Sequence, residues 1–401
     1  MTCFVTLDDK QECVGVYSDG ELYFSDFPKE LTHTWGHTPS LSSVGAANAE
    51  LASIYVGGSS LSDVCPSHLR DEWDSLMKRM AAYKNSFIEA KVDLSENCIF
   101  DLIPLRYLTQ FCHLKAEIAK HVFKTVEKPE NYDFMKSLIS LLGEISQRKI
   151  ELNLDVLEGD KTNRRARDFA RDIRAGKKSQ YASYDPFKVK TGRLSVKKGS
   201  FPILNLDREF RVAVKPTNDW ILELDYNAAE LRTLLALAGK EQPSEDIHTW
   251  NSGILGVSRD EAKKSVISWL YGSKTSDIGK KLSQMYAKEE VLNKFYNSQE
   301  KFVKTPIGRK IKTDDHHALN YLVQSTTADL VFDRMIEIQK LLAPHKSFIK
   351  FCLHDSVVID LSHDEKHLIK EISRIFSQTK LGFFQTSVAA GNTFGDLKDL
   401  N

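Results

Sequence analysis

The chain has 401 residues, with 55 Lys plus Arg balanced by 55 Asp plus Glu and a hydrophobic fraction of 41%, the profile of a globular protein with room for two or three domains. No apolar run reaches the roughly 18 residues of a membrane-spanning helix, and the start MTCFVTLDDK lacks the basic and apolar pattern of a leader. The six cysteines (3, 13, 65, 98, 112, 352) show no CxxC and no metal spacing, so reduced thiols in a cytoplasmic, intracellular protein are expected and a disulfide framework is not.

Residues 1 to 30 read as strands, with CVGVYSDGELYFSD folding back around Asp19-Gly20, a strong hairpin signal. Residues 31 to 70 are polar and rich in Ser and Gly and specify little. Residues 71 to 91 read as helix. Two amphipathic helices follow between 105 and 160: Phe111, Leu114, Ile118 and Val122 form one stripe, and Phe134, Leu138, Leu141 and Ile145 the other, with Lys128-Pro129-Glu130-Asn131 between them. Between Lys161 and Lys198 stand 13 Lys or Arg and three Asp. Such a run is a solvated helix face, a flexible arm or a nucleic-acid surface, and composition alone leaves all three open.

From about residue 190 the pattern sharpens. WILELDYNAAELRTLLALAG reads as a strand ending at Asp225 and a helix over Ala228 to Ala238. RDEAKKSVISWLYG is a second helix, and Ala318 to Leu342 a third. FIKFCLHDSVVIDL gives two strands broken at His354-Asp355. A carboxylate inside an apolar run needs a turn, a basic partner or a metal ion. Asp225 and Asp355, 130 residues apart, both stand at such breaks. Isolated aspartates commonly cap helices or close turns, but two at strand ends of one sheet would hold two Mg²⁺ ions for in-line phosphoryl displacement. In the second helix Arg259, Lys263, Ile267 and Tyr271 are spaced by four and share a face. That face suits a triphosphate followed by a base, or equally a solvated basic surface over a packed tyrosine.

Together these stretches resemble family A DNA polymerases, the DNA polymerase I or Klenow type. TGRLS at 191 to 195 is similar to the family's TGRLSS, and Arg208, Arg211, Val212 and Ala213 fit the segment after it. DYNAAELR (225 to 232) resembles motif A, and DIH (246 to 248) the start of the fingers. Arg259-x-x-x-Lys263 through Tyr271-Gly272 resembles motif B, the O helix. TPIGRK (305 to 310), Asn320-x-x-x-Gln324 within NYLVQSTTADL, LHDSVVID (motif C) and the terminal AAGNTFGDL complete an ordered series over residues 191 to 401. The first 100 residues show no such resemblance.

The resemblance implies an α+β right-hand fold: a palm with an antiparallel sheet, helical fingers and thumb, and a small α/β N-terminal module. It implies residues 1–100 as that module, 101–190 as thumb gripping duplex through its backbone, 191–240 and 320–401 as palm, and 241–319 as short fingers. It implies Asp225 and Asp355 as metal ligands with the Tyr226 carbonyl, and two Mg²⁺ ions as cofactors. Lys263 would contact phosphate and protonate the pyrophosphate; Arg259 and His248 would be further triphosphate contacts. Glu230 would be the steric gate against a ribose 2′-OH, with Ile267 and Tyr271 beside the incoming nucleotide. Arg193, Asn205, Asn320, Gln324 and His354 would contact DNA.

Four departures stand out. Ile267 replaces a Phe or Tyr, Ser356 the second acid of motif C, His316 an arginine one turn before Asn320, and Gln324-Ser325-Thr326 the family's QGT. None removes a metal ligand. The expected function is template-directed extension of a primer with dNTPs by a compact, viral or mobile-element replicase. The expected partners are primer-template DNA, dNTPs and a separate exonuclease or other replisome protein, with no membrane. No intrinsic 3′-5′ exonuclease is expected, since the early D-x-E, Asp19-Gly20-Glu21, straddles a turn. The competing expectations are a non-catalytic DNA-binding scaffold, which has no need of Asp225, Asp355 and Lys263, and a single-subunit RNA polymerase, which would not keep Glu230.

Overall fold

The computed structural model describes residues 1–10, 12–94, 96–159, 163–272 and 277–400, and the chain divides by packing into two units, Met1–Gln147 and Arg148–Asn401.

In the first unit Phe4–Asp9, Glu12–Ser18 and Glu21–Tyr23 form an antiparallel meander. Asp19-Gly20 makes the tight turn the sequence predicts: Ser18 pairs with Glu21, and both turn residues take positive φ, 48° and 94°. The two-residue strand His33–Thr34 makes an isolated parallel bridge to Cys3 and pairs in parallel with Glu50–Leu51 as a separate two-stranded sheet. The Leu105–Thr125 helix serves two cores. Leu108, Cys112 and Ala116 pack with Val5, Leu7 and Tyr17 of the meander, and Leu114 and Ile118 with Trp73, Leu76 and Met80 of the Ser67–Glu89 helix. The partner helix Tyr132–Gln147 buries Leu138, Leu141 and Ile145 as its spacing requires.

That packing moves a boundary. The sequence reading separates 1–100 from a thumb over 101–190, whereas both helices of the hairpin belong with the N-terminal sheet and the unit closes at Gln147. The physical reason is the double-sided burial of Leu105–Thr125, which a stripe of four residues does not reveal.

The second unit is built on a five-stranded antiparallel sheet in the order Phe348–Leu353, Ser356–Leu361, Trp220–Tyr226, Thr386–Gly391, Lys398–Asp399. Trp220–Tyr226 is central. Leu222, Leu224 and Tyr226 alternate onto one face, where the Tyr226 ring stacks 4.2 Å from Phe376 of the Ile369–Ser377 helix. Ile221, Glu223 and Asp225 take the other face, which turns from apolar to acidic along the strand. The Ala318–Leu342 helix is buried nearly all round over its first half, where Asn320, Gln324, Thr327, Asp329 and Asp333 are buried beside its apolar residues.

Among the described residues, 247–312 hold the helices Ile247–Leu255, Arg259–Leu270, Asp277–Met285 and Lys288–Phe295. A three-stranded antiparallel sheet of Tyr296–Asn297, Phe302–Lys304 and Lys310–Lys312 follows them. The region expected to be helical therefore carries a small sheet, whose Val303 and Ile311 join Val266, Trp269, Leu282, Tyr286 and Val291 in one core. Among the described residues no helix is long and apolar enough to cross a membrane.

A buried ion pair ties two of the recognised segments together. Arg309 Nη2 donates to Asp329 Oδ1 at 2.6 Å, with the Asp329 side chain fully buried. The Arg309 guanidinium rests on Gly192, where a Cβ would lie 2.5 Å from its central carbon. Asp329→Ala should therefore destabilise the fold by about 3–5 kcal/mol, since it removes the fully buried carboxylate that pairs with the Arg309 guanidinium. Urea unfolding checks this; an unchanged midpoint would show the pair to be dispensable.

Candidate active site

The two aspartates are brought together by strand register. Asp225, next to last in the central strand, lies opposite Ser356. Leu353 pairs with Ser356 across a two-residue turn, His354-Asp355, with His354 at φ 57°. A tight hairpin demands positive φ at its first central residue, and a non-glycine residue there costs about 1 kcal/mol or more. The polar break in the apolar run is thus a strained turn at the edge of the sheet, and it sets Asp355 beside the end of the strand that carries Asp225.

Neither carboxylate makes a hydrogen bond or ion pair among the described residues. Asp225 is exposed as a residue, but crowding of its carboxylate by protein, then repulsion from Asp355 and Glu223, pushes its pKa up to about 7. Hard oxygen donors with surplus negative charge fit Mg²⁺. Among the described residues no group of three or more His, Cys, Asp or Glu could hold an ion alone. The Tyr226 side chain is buried on the opposite face, its hydroxyl donating to the Phe376 carbonyl at 2.6 Å, so only its main chain is left for a metal.

The Arg259–Leu270 helix begins at a capping box, Ser258 with Glu261. It buries Ala262, Val266, Trp269 and Leu270, which leaves Arg259, Lys263, Ile267 and Tyr271 exposed on one face, Ile267 by 45% and Tyr271 by 47%. Arg259 is not free: its Nε and Nη2 donate to Asp246 at 2.9 and 3.1 Å. Burial opposes ionisation of Asp246, but hydrogen bonds from Arg259 and Thr249 outweigh it and hold its carboxyl below the usual range. Lys263 makes no ion pair among the described residues. His248 is buried with Nδ1 unpartnered, and burial lowers its pKa against the pull of Asp246.

Glu230, on the Ala229–Leu237 helix, accepts a hydrogen bond from Arg193 of the TGRLS segment. Burial raises its pKa in spite of that partner. Gln324 Nε2 donates to Tyr271 Oη at 3.1 Å, and Asn320 keeps a buried Oδ1 without a partner. His316 sits over Gly272, where a Cβ would fall 2.6 Å from the imidazole. His354 is exposed at the turn. Asn205 is the outlier: it lines a groove of about 360 Å³ with Arg165, Phe169 and Lys178, and no other candidate residue lines that groove.

One residue escapes the sequence reading. Ser356 Oγ donates to Glu223 Oε1 at 3.1 Å, so a third carboxylate stands two residues from Asp225 on the same face. The signal was the period of two along ELD, masked by the apolar residues around it.

No protein-family model matches the chain. It is similar to a DNA polymerase of Mycobacterium phage L5, 22% identical over 233 residues, which is 48% of this chain and 37% of that protein. The chain therefore spans little more than a third of the length of this curated relative. Its fold is similar to that of the POL domain of Pol1 from M. smegmatis, solved in complex with DNA primer-template and dNTP. That likeness has a TM-score of 0.58 at 13% identity, over 72% of this chain and 75% of that one. The chain has the α+β fold of a DNA polymerase domain.

Proposed function

We propose that this chain is a DNA polymerase of the family A type, which extends a primer 3′ end with dNTPs on a template. The observation that carries the reading is the placement of Asp225 and Asp355 at adjoining strand ends, with no hydrogen-bond or ion-pair partner for either charge among the described residues. In this reading the palm is residues 191–240 and 320–401, the fingers 241–319, and the thumb what remains of 101–190 beyond Gln147. There the Arg164–Arg174 helix buries Ala166, Phe169, Ala170 and Ile173 and exposes its arginines. Several of those arginines are already paired, Arg165 with Asp207 and Arg171 with Asp168, so the surface grips backbone less strongly than its composition promises.

Two Mg²⁺ ions, held by Asp225, Asp355 and the Tyr226 carbonyl, would activate the primer 3′-oxygen and neutralise charge on the transferring phosphate. Lys263 lies along the triphosphate and gives its proton to the departing pyrophosphate. Arg259 exchanges Asp246 for phosphate oxygens when the nucleotide enters, and buried His248 adds a contact from the neighbouring helix. Tyr271, held by Gln324, and Ile267 cover the incoming nucleotide; Ile267 does so without aromatic stacking. Glu230, fixed by Arg193, fills the space of a ribose 2′-OH. Arg193, Asn320, Gln324 and His354 face the primer end, and Asn205 contacts DNA from its own groove. In this reading a separate exonuclease or replisome protein would supply editing, at an intracellular site of viral replication.

Glu230→Ala should admit ribonucleotides, raising rNTP use relative to dNTP by tenfold or more at little cost to dNTP turnover. Competition of dCTP and rCTP in single-nucleotide extension checks this. Selectivity equal to the wild type would remove Glu230 from the gate. Primer extension by the purified chain with Mg²⁺ separates the enzyme from a DNA-binding scaffold.

A further inference from the structure

We infer that Glu223 is a positioning residue that supplies, from the neighbouring strand, the second acid missing from the Asp355 turn. The inference rests on the polymerase reading of the site. The segment similar to motif C carries Ser356 where the family has an acid next to the metal-binding aspartate. The charge has not left the sheet. The register sets Ser356 opposite Asp225 and Val358 opposite Glu223, so Glu223 is the diagonal neighbour of Ser356 on the face that carries Asp225. A short serine on one strand and a long glutamate on the other span the gap that a long acid at position 356 would span alone.

The contact is built. Ser356 is 4% exposed, and its Oγ lies 3.1 Å from Glu223 Oε1 and 3.0 Å from the carbonyl of Leu353, the residue that opens the turn. The single proton of this buried hydroxyl is shared between the two acceptors and so ties the Glu223 carboxylate to the turn that presents Asp355. The cross-strand neighbours of Glu223, Val358 and Ala389, offer a carboxylate no hydrogen bond, while Arg211 and Arg208 attract its charge from outside the strand pair. The one hydrogen bond its carboxylate makes among the described residues runs to Ser356, at the turn that carries Asp355. Glu223 therefore acts behind the ligands: it braces the turn through Ser356 and adds negative charge behind Asp225 and Asp355, much as outer partners orient metal-binding groups elsewhere.

The test moves the acid between strands. Glu223→Ser, Glu223→Gln and the double variant Glu223→Ser/Ser356→Glu are compared with the wild-type chain on primer-template DNA without dNTP. Mn²⁺ binding is followed by electron paramagnetic resonance. Glu223→Ser should weaken Mn²⁺ binding about tenfold. Glu223→Gln, which keeps a hydrogen bond to Ser356 but no charge, should lose nearly as much. The double variant should return to within about threefold of the wild type, since it puts the acid in the family's own position. Wild-type binding by Glu223→Gln would reduce Glu223 to a bracket for the turn and overturn the proposal, as would a double variant no better than Glu223→Ser. Primer extension is recorded in parallel. A wild-type chain that shows these Mn²⁺ differences but extends no primer would sink the polymerase reading and leave the role of Glu223 standing.

Discussion

Asp225→Asn and Asp355→Asn should each abolish nucleotide addition, with a loss of 10³-fold or more, on the order of 4 kcal/mol of transition-state stabilisation. Affinity for primer-template DNA should change little, because backbone contacts supply most of it. Neither side chain has a hydrogen-bond or ion-pair partner among the described residues, so removing either charge costs the fold little. Asp225→Asn should in fact stabilise the metal-free chain. The Asp225 pKa lies at about 7 in the fold against an ordinary 3.8, so between these values the folded chain holds a proton that the unfolded chain has lost. Stability attached to this group is therefore full below about pH 4 and is lost as pH rises through about 7. Solvent around the exposed residue screens part of the effect. Above pH 7 the metal-free Asn variant should melt a few degrees higher than the wild type, and the difference should vanish below pH 4. An inactive variant that also melted lower would point to misfolding rather than lost metal ligation.

Lys263→Ala should slow incorporation by about 10²–10⁴-fold at saturating dNTP, the usual range for a positioned general acid. The lysine stands exposed on the helix face between Arg259 and Ile267 and makes no ion pair among the described residues, so its charge is available to phosphate. Arg259→Ala should act differently, with a higher KM for dNTP and a smaller effect on kcat, because the guanidinium binds phosphate in ground state and transition state alike. Single-turnover kinetics separate the two. A wild-type rate for Lys263→Ala would remove it from proton transfer.

Much of the second unit was legible. Period-two patterning and the His354-Asp355 break gave the sheet strands and their turn, and the four-residue spacing from Arg259 to Tyr271 gave the exposed helix face, because backbone geometry fixes these locally. What failed needed tertiary information. The boundary at Gln147 depends on the Leu105–Thr125 helix burying two faces, Leu108, Cys112 and Ala116 as well as Leu114 and Ile118. Glu223 was invisible because its meaning comes from a partner 133 residues away, Ser356, and from a register that neither segment states alone. The engagement of Arg259 by Asp246 was hidden in the same way: DIH and the basic helix were each read, but not their contact.

The most direct measurement is extension of a labelled primer on a template by the purified chain, with Mg²⁺ and all four dNTPs, beside the Asp225→Asn chain. The account predicts products ordered by the template, dependent on Mg²⁺ and absent from the Asn variant. DNA binding by both chains with no extension by the wild type would contradict it and leave a DNA-binding scaffold with a polymerase fold.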